Sequence, residues 1–196
     1  MKKIFGLFSV VLLLTACKQK KIIVYSKGPA EVNTDAKTIT SKDGTGHDEK
    51  EVLLGSSNVT YKIKGPMGEG TIDLPGDGLF IVNAKPDTIV GGINSFGDPT
   101  KQKVVSQAEL KLRIDSMVAL LEGKNASEAN KSYYLLPNKS ARISDNIKSM
   151  VIGPYHRMRS AEKVDGKDPE VYRFYTLKEF REKIEEMRAL TVAQKQ

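Results

Sequence analysis

Tryptophan is absent from this 196-residue chain, which has only one cysteine and two histidines. A single cysteine excludes an internal disulfide, and one Cys with two His falls short of the four-ligand sets that build structural zinc sites. No apolar run reaches the roughly 20 residues of a membrane-spanning helix. The Gly-x-Ser-x-Gly elbow, the His-Glu-x-x-His motif and a phosphate cradle ending in Gly-Lys-Ser or Gly-Lys-Thr are all missing. Gly65-Pro66-Met67-Gly68-Glu69-Gly70 lacks that ending and is followed by a strand pattern, so it reads as a hairpin turn. With 39% apolar and 28% charged residues the composition still stands clear of the disorder signature, and a folded core is expected.

What is present begins at the N-terminus. Lys2 and Lys3 precede an almost unbroken apolar run from Ile4 to Leu14, and the only cysteine follows in Leu14-Thr15-Ala16-Cys17. The run has the length of a signal-peptide core rather than of a permanent span. Leu, a small or polar residue, Ala and then Cys resembles the lipobox of bacterial lipoproteins, over residues 1–17. That resemblance implies removal of residues 1–16 and a diacylglycerol on the sulfur of Cys17, which becomes the new N-terminus. Each buried CH₂ contributes about 0.8 kcal/mol, so two or three acyl chains anchor stably. The implied partner is membrane lipid. Lys18, where enteric-type retention at the inner membrane uses Asp, implies the outer membrane facing the periplasm.

The formal charge of +7 then divides unevenly. Five of the 31 basic residues, Lys2, Lys3, Lys18, Lys20 and Lys21, lie in the first 21 positions, leaving 26 against 24 acidic ones. Basic residues beside an anchor favour anionic headgroups. Nucleic-acid binding needs a basic folded face instead, and none is expected.

Ile22 to Tyr25 reads as a short edge strand, and the polar stretch from Lys27 to Glu51 as a solvated tether, so residues 17–51 are assigned to a lipidated, flexible segment. The domain is placed at 52–196. Val59, Tyr61 and Ile63 alternate with polar residues, and Thr71 to Leu74 alternates again after the glycine turn, which predicts a hairpin. Leu79 to Val82 and Thr88 to Val90 extend it to a meander. Ser106 with Glu109 and Thr176 with Glu179 are capping-box pairs, each followed by an apolar stripe at helical spacing. Tyr133 to Leu136, Met150 to Ile152 and Val171 to Tyr175 read as further short strands. The expected fold is α+β: a small antiparallel sheet covered by two amphipathic helices, preceded by the tether.

Two stretches carry candidate chemistry. Asp43 to Glu49 groups three carboxylates with His47 but misses the calcium-loop spacing, and reads as linker; no metal site is assigned. Tyr155, His156, Arg157 and Arg159 form the densest polar-aromatic group. Arg recognises carboxylate or phosphate, His titrates near neutrality and Tyr offers a stacking face, so these four are the candidate ligand-binding residues. No cofactor is implied and no catalytic residue is assigned. The reading is an envelope lipoprotein with a non-catalytic binding or assembly role, partnered by an envelope protein. The alternative is a hydrolase or small-ligand-binding enzyme centred on Tyr155, His156, Arg157 and Arg159.

Overall fold

The computed structural model describes residues 19–55, 57–94, 106–158 and 169–193. Twelve strands and two helices, numbered in chain order, occur among them. The central sheet contains β1 (Gln19–Ser26), β4 (Asp48–Gly55), β7 (Gly78–Asn83) and β10 (Lys139–Ser144), in the order β10-β7-β1-β4. The strands β1 and β7 run parallel, with Ile22 opposite Phe80, and this register aligns their faces. Ile22, Val24, Phe80 and Val82 point into one core, while Ile23, Tyr25, Leu79 and Ile81 point into another. A sheet covered on both sides is nearly continuous in apolar residues, as both strands are.

On the first face lies a sheet of β2 (Ala30–Asn33), β3 (Thr38–Ser41), β5 (Val59–Gly65) and β6 (Gly68–Leu74), whose Ile39, Tyr61, Ile63, Ile72 and Leu74 fill the core. On the second lies a sheet of β8 (Ile89–Asn94), β9 (Ser132–Leu135), β11 (Met150–Ile152) and β12 (Val171–Thr176), which contributes Ile89, Tyr133, Leu135, Tyr172 and Phe174. Its outer face carries Val90, which packs with Leu110 and Ile114 of α1 (Gln107–Leu121) and Phe180 and Ile184 of α2 (Leu177–Ala193). The result is four layers: sheet, central sheet, sheet, helix pair.

This overturns the expected α+β class. Among the described residues the protein is mostly β, with three mixed four-stranded sheets, and the two helices cover one of them. The expected tether is also corrected, because β1 to β4 fall within residues 19–55, a stretch that is already part of the fold ahead of Val52. Ile22 to Tyr25 is an inner strand, buried on both faces, so it lacks the alternation that marks a half-buried strand. The polar stretch after it supplies β2 and β4 at the edges of their sheets and β3 between β2 and β5. These strands need one modest apolar row each: Ile39 and Ser41 are buried in β3 while Thr40 between them is exposed.

The hairpin expectation agrees with the pairing of β5 and β6 around Pro66-Met67, where Gly68 takes φ +90°. The meander does not continue, since β7 leaves the hairpin to pair with β1 and β10. Both helix starts are capped as their sequences imply. Ser106 Oγ accepts from the Glu109 amide at 3.2 Å. At Thr176, Oγ1 accepts from the Glu179 amide at 3.1 Å while the Thr176 amide donates to Glu179 Oε2 at 2.9 Å.

Candidate functional site

The loop after β11 carries Tyr155, His156 and Arg157, and it folds over the end of the central sheet where β1 and β7 finish. Beneath it stand two residues from the stretch read as linker. His47 immediately precedes β4, and Glu49 is the second residue of that strand, so the two share a face at the i, i+2 spacing of extended chain. Lys85 follows β7, its amide donating to Asn83 Oδ1 at 3.0 Å. The ring of Tyr25, near the end of β1, lies 5.3 Å from that of His47.

These residues form a chain of polar contacts. Lys85 Nζ is 3.2 Å from His47 Nδ1, and His47 Nε2 is 2.8 Å from Glu49 Oε1. An ammonium has only donors, so Nδ1 accepts, the ring proton sits on Nε2, and that proton is donated to Glu49. His156 Nδ1 approaches the same Oε1 at 3.8 Å. Lys85 is 2% exposed. Burial pulls its ammonium below the usual lysine range, and the like charge of Lys27 adds to this, against Asp87, Glu179 and Glu49. Burial, reinforced by Glu49 and Glu51, pushes the Tyr25 phenol well above its ordinary value. Among the described residues, the Tyr25 hydroxyl is buried without a hydrogen-bond partner.

Tyr155 closes the cluster from outside. Its ring centroid is 5.3 Å from Lys85 Nζ and 5.9 Å from the His47 ring. Its φ is +66°, a left-handed conformation that is costly for a bulky side chain. The backbone is held there by the Tyr155 amide donating to Glu179 Oε1 at 2.8 Å and by Arg173 Nη2 donating to the His156 carbonyl at 3.2 Å. Glu179 thus serves the helix cap and the loop together, instead of the i, i+4 pair with Lys183 that its spacing suggests; Lys183 binds Glu186 at 3.0 Å. Gly153 lies against Glu49, where a Cβ would fall 1.8 Å from Oε1.

Beyond Tyr155 a groove of about 680 Å³ runs between the loop and α2, lined by Arg157, Arg173, Lys178 and Lys183 and by Glu182 and Glu186. The structure therefore brings Tyr155 and His156 to the cluster and places Arg157 along the groove. Arg159 and Cys17 lie outside the described residues. Sequence reading missed His47, Glu49 and Lys85. The available signals were the i, i+2 pair and a lysine three residues past the apolar run Leu79 to Val82. Among the described residues no group of three or more His, Cys, Asp and Glu is placed to hold a metal ion, and no helix is long and apolar enough to cross a membrane.

Two of the lysines counted beside the anchor are engaged in the fold. Lys20 is fully buried and donates to the Ser57 carbonyl at 2.7 Å and to that of Leu74. Lys21 pairs with Glu51. Neither is free for a lipid headgroup. No protein-family model, curated protein or solved structure matches this chain.

Proposed function

We propose that this is a bacterial envelope lipoprotein, anchored by acylated Cys17 in the outer membrane and facing the periplasm, whose β-rich domain holds a ligand or envelope partner at its membrane-distal end. The anchor rests on the lipobox Leu14-Thr15-Ala16-Cys17. The observation that carries the binding role is the position of the polar cluster. Only Lys18 separates Cys17 from Gln19, at most about 7 Å of chain between their Cα atoms, so a lipidated Cys17 holds the start of β1 close to the headgroups. Eight residues of β1 span about 26 Å, and Tyr25, His47, Glu49 and Lys85 gather at its far end. The basic arm imagined beside the membrane reduces to Lys18, and attachment depends on the acyl chains.

Cys17→Ser should abolish labelling by a palmitate analogue and release the protein from membranes; a variant that keeps both overturns the anchor. A photo-crosslinking residue in place of Arg157 should capture an envelope ligand or protein in cells. Capture equal to that from Asp35, in the exposed turn joining β2 to β3 at the end away from Asp48 and Ala84, removes the binding role.

A further inference from the structure

We infer that Lys85 is a nucleophilic amine, activated by His47 and Glu49, that captures a small oxo acid as a reversible imine beneath Tyr155. This rests on reading the membrane-distal end as a ligand site, and it names the chemistry of the ligand.

The first support is geometric. A nucleophile needs a base within hydrogen-bond reach and a third group that orients the base and stabilises its charged form. Lys85 Nζ, His47 Nδ1, His47 Nε2 and Glu49 Oε1 make that series at 3.2 and 2.8 Å. Each partner is fixed: Asn83 braces the Lys85 backbone, the Tyr25 ring backs His47, and Gly153 leaves room for the Glu49 carboxylate. A structural lysine needs acceptors only. This one faces an acceptor that can also take its proton.

The second support is the cover. Lys85 is buried, its burial favours the neutral amine, and the lid over it is one strained residue. Backbone strain persists where the surroundings over-determine it, and it marks positions built for a conformational change. Moving Tyr155 costs two hydrogen bonds, to Glu179 and, through His156, to Arg173. The groove on the other side of that ring offers the guanidiniums of Arg157 and Arg173, and Arg173 Nε is buried without a partner among the described residues. A guanidinium pairs with a carboxylate in a planar fork. A carbonyl for Lys85 and a carboxylate for the arginines define an oxo acid.

The reaction balances without a further reagent. His47 takes a proton from the Lys85 ammonium, and the resulting imidazolium is stabilised by Glu49. The amine attacks the carbonyl carbon, forming the C–N bond. His47 returns the proton to the carbonyl oxygen and relays a second proton from nitrogen to the hydroxyl, so the C–O bond breaks and the oxygen leaves as water. Ammonium plus carbonyl gives a protonated imine plus one water, with nothing oxidised or reduced.

The test treats the full chain in detergent with glyoxylate and cyanoborohydride near neutral pH, then maps carboxymethylated lysines by peptide mass spectrometry. Lys20 is the control for burial without a base, and Lys178 for full exposure. Lys85 should be labelled on the order of tenfold faster than either, because of the three it alone has a base within hydrogen-bond reach. Tyr155→Gly, which accepts positive φ and removes the ring, should raise the Lys85 rate further, and His47→Gln should lower it to that of Lys20. Acetaldehyde, lacking the carboxylate, should label Lys85 more slowly than glyoxylate does. The wild-type pH profile covers the case in which His47→Gln fails to fold: Lys85 labelling must rise at lower pH than that of Lys178. Equal rates at Lys85, Lys20 and Lys178 in both wild type and Tyr155→Gly overturn the inference, and if crosslinking from position 157 persists, the ligand-site reading survives it. Equal labelling by the two aldehydes overturns the oxo-acid class.

Discussion

Two lysines are buried at opposite ends of the same central sheet, and they differ in what they touch. Lys20, 0% exposed, donates to the carbonyls of Ser57 and Leu74 and lies 5.7 Å from the centre of the Phe80 ring. Lys85, 2% exposed, meets the imidazole of His47 and the ring of Tyr155. Burial lowers the proton affinity of both. A carbonyl accepts a hydrogen bond but no proton, so Lys20 remains a charged staple that ties β1 to the end of β6. An imidazole accepts both. A buried lysine is thus marked for chemistry by the basicity of its partner, while its own burial says only that it is costly.

The sharpest way to break this comparison is to remove each ammonium in turn. Lys20→Met leaves the buried Leu74 carbonyl and the partly buried Ser57 carbonyl without their donor, at roughly 1–3 kcal/mol for the first and less for the second. A loss of about 3 kcal/mol is expected in urea denaturation. Lys85→Met orphans one ring nitrogen that retains other ways to hydrate once Tyr155 moves, and should cost about 1 kcal/mol. If Lys85→Met proves the more destabilising, Lys85 is the staple and the contrast is reversed.

The Lys20 end has a second fixed charge, which sharpens the contrast from the acidic side. Ser144, paired with Leu79 at that end of the sheet, donates to Glu170 Oε2, as does Ser149 at 2.6 Å. Lys131 and Tyr172 donate to Oε1 at 2.6 and 2.9 Å. Burial pushes this carboxyl up, but the four donors outweigh it and hold it at about 2, against an ordinary 4.5. The group is depressed in the folded state, so its stabilisation is complete above about 4.5 and is lost as pH falls through about 2. Glu170→Gln should cost on the order of 2 kcal/mol near neutral pH, after allowance for partial solvent screening. The cost should shrink between pH 4.5 and 2. Urea titrations across that window check it, and a cost independent of pH there would show that the donors do not hold the charge.

How far the sequence disclosed this molecule depended on exposure. Strands with one wet face announced themselves: β5 and β6 alternate visibly, and the capping pairs at Ser106 and Thr176 mark both helix starts. The middle of the central sheet was hidden because β1 and β7 have no wet face. Ile22 to Tyr25 is too short an apolar run to distinguish an inner strand from an edge, and its neighbours β2 and β4 are polar enough to imitate a tether. The candidate site was half legible for the same reason. Tyr155 and His156 stand out as an aromatic and titratable pair on a loop. His47, Glu49 and Lys85 come from segments 36 residues apart or more, and only the parallel pairing of β1 with β7 and the antiparallel pairing of β1 with β4 bring them together.

Gly153→Ala addresses the smallest energy and the most specific claim. The glycine does not have positive φ, so alanine fits its backbone. The added Cβ would fall 1.8 Å from Glu49 Oε1 and 3.1 Å from Tyr25 Cε1. The carboxylate is the free end of a flexible side chain already 24% exposed, so it can swing toward water, while the tyrosine edge gives by a few tenths of an ångström. Alanine also narrows the unfolded chain, which offsets part of the cost. The net change should stay within about 1 kcal/mol, well below that for Lys20→Met. Yet the displaced carboxylate no longer supports the His47 imidazolium, and preferential labelling of Lys85 should fall toward the rate at Lys20. A stability close to wild type with labelling unchanged would mean that Glu49 contributes nothing to the amine, and the two ends of the sheet would differ in packing alone.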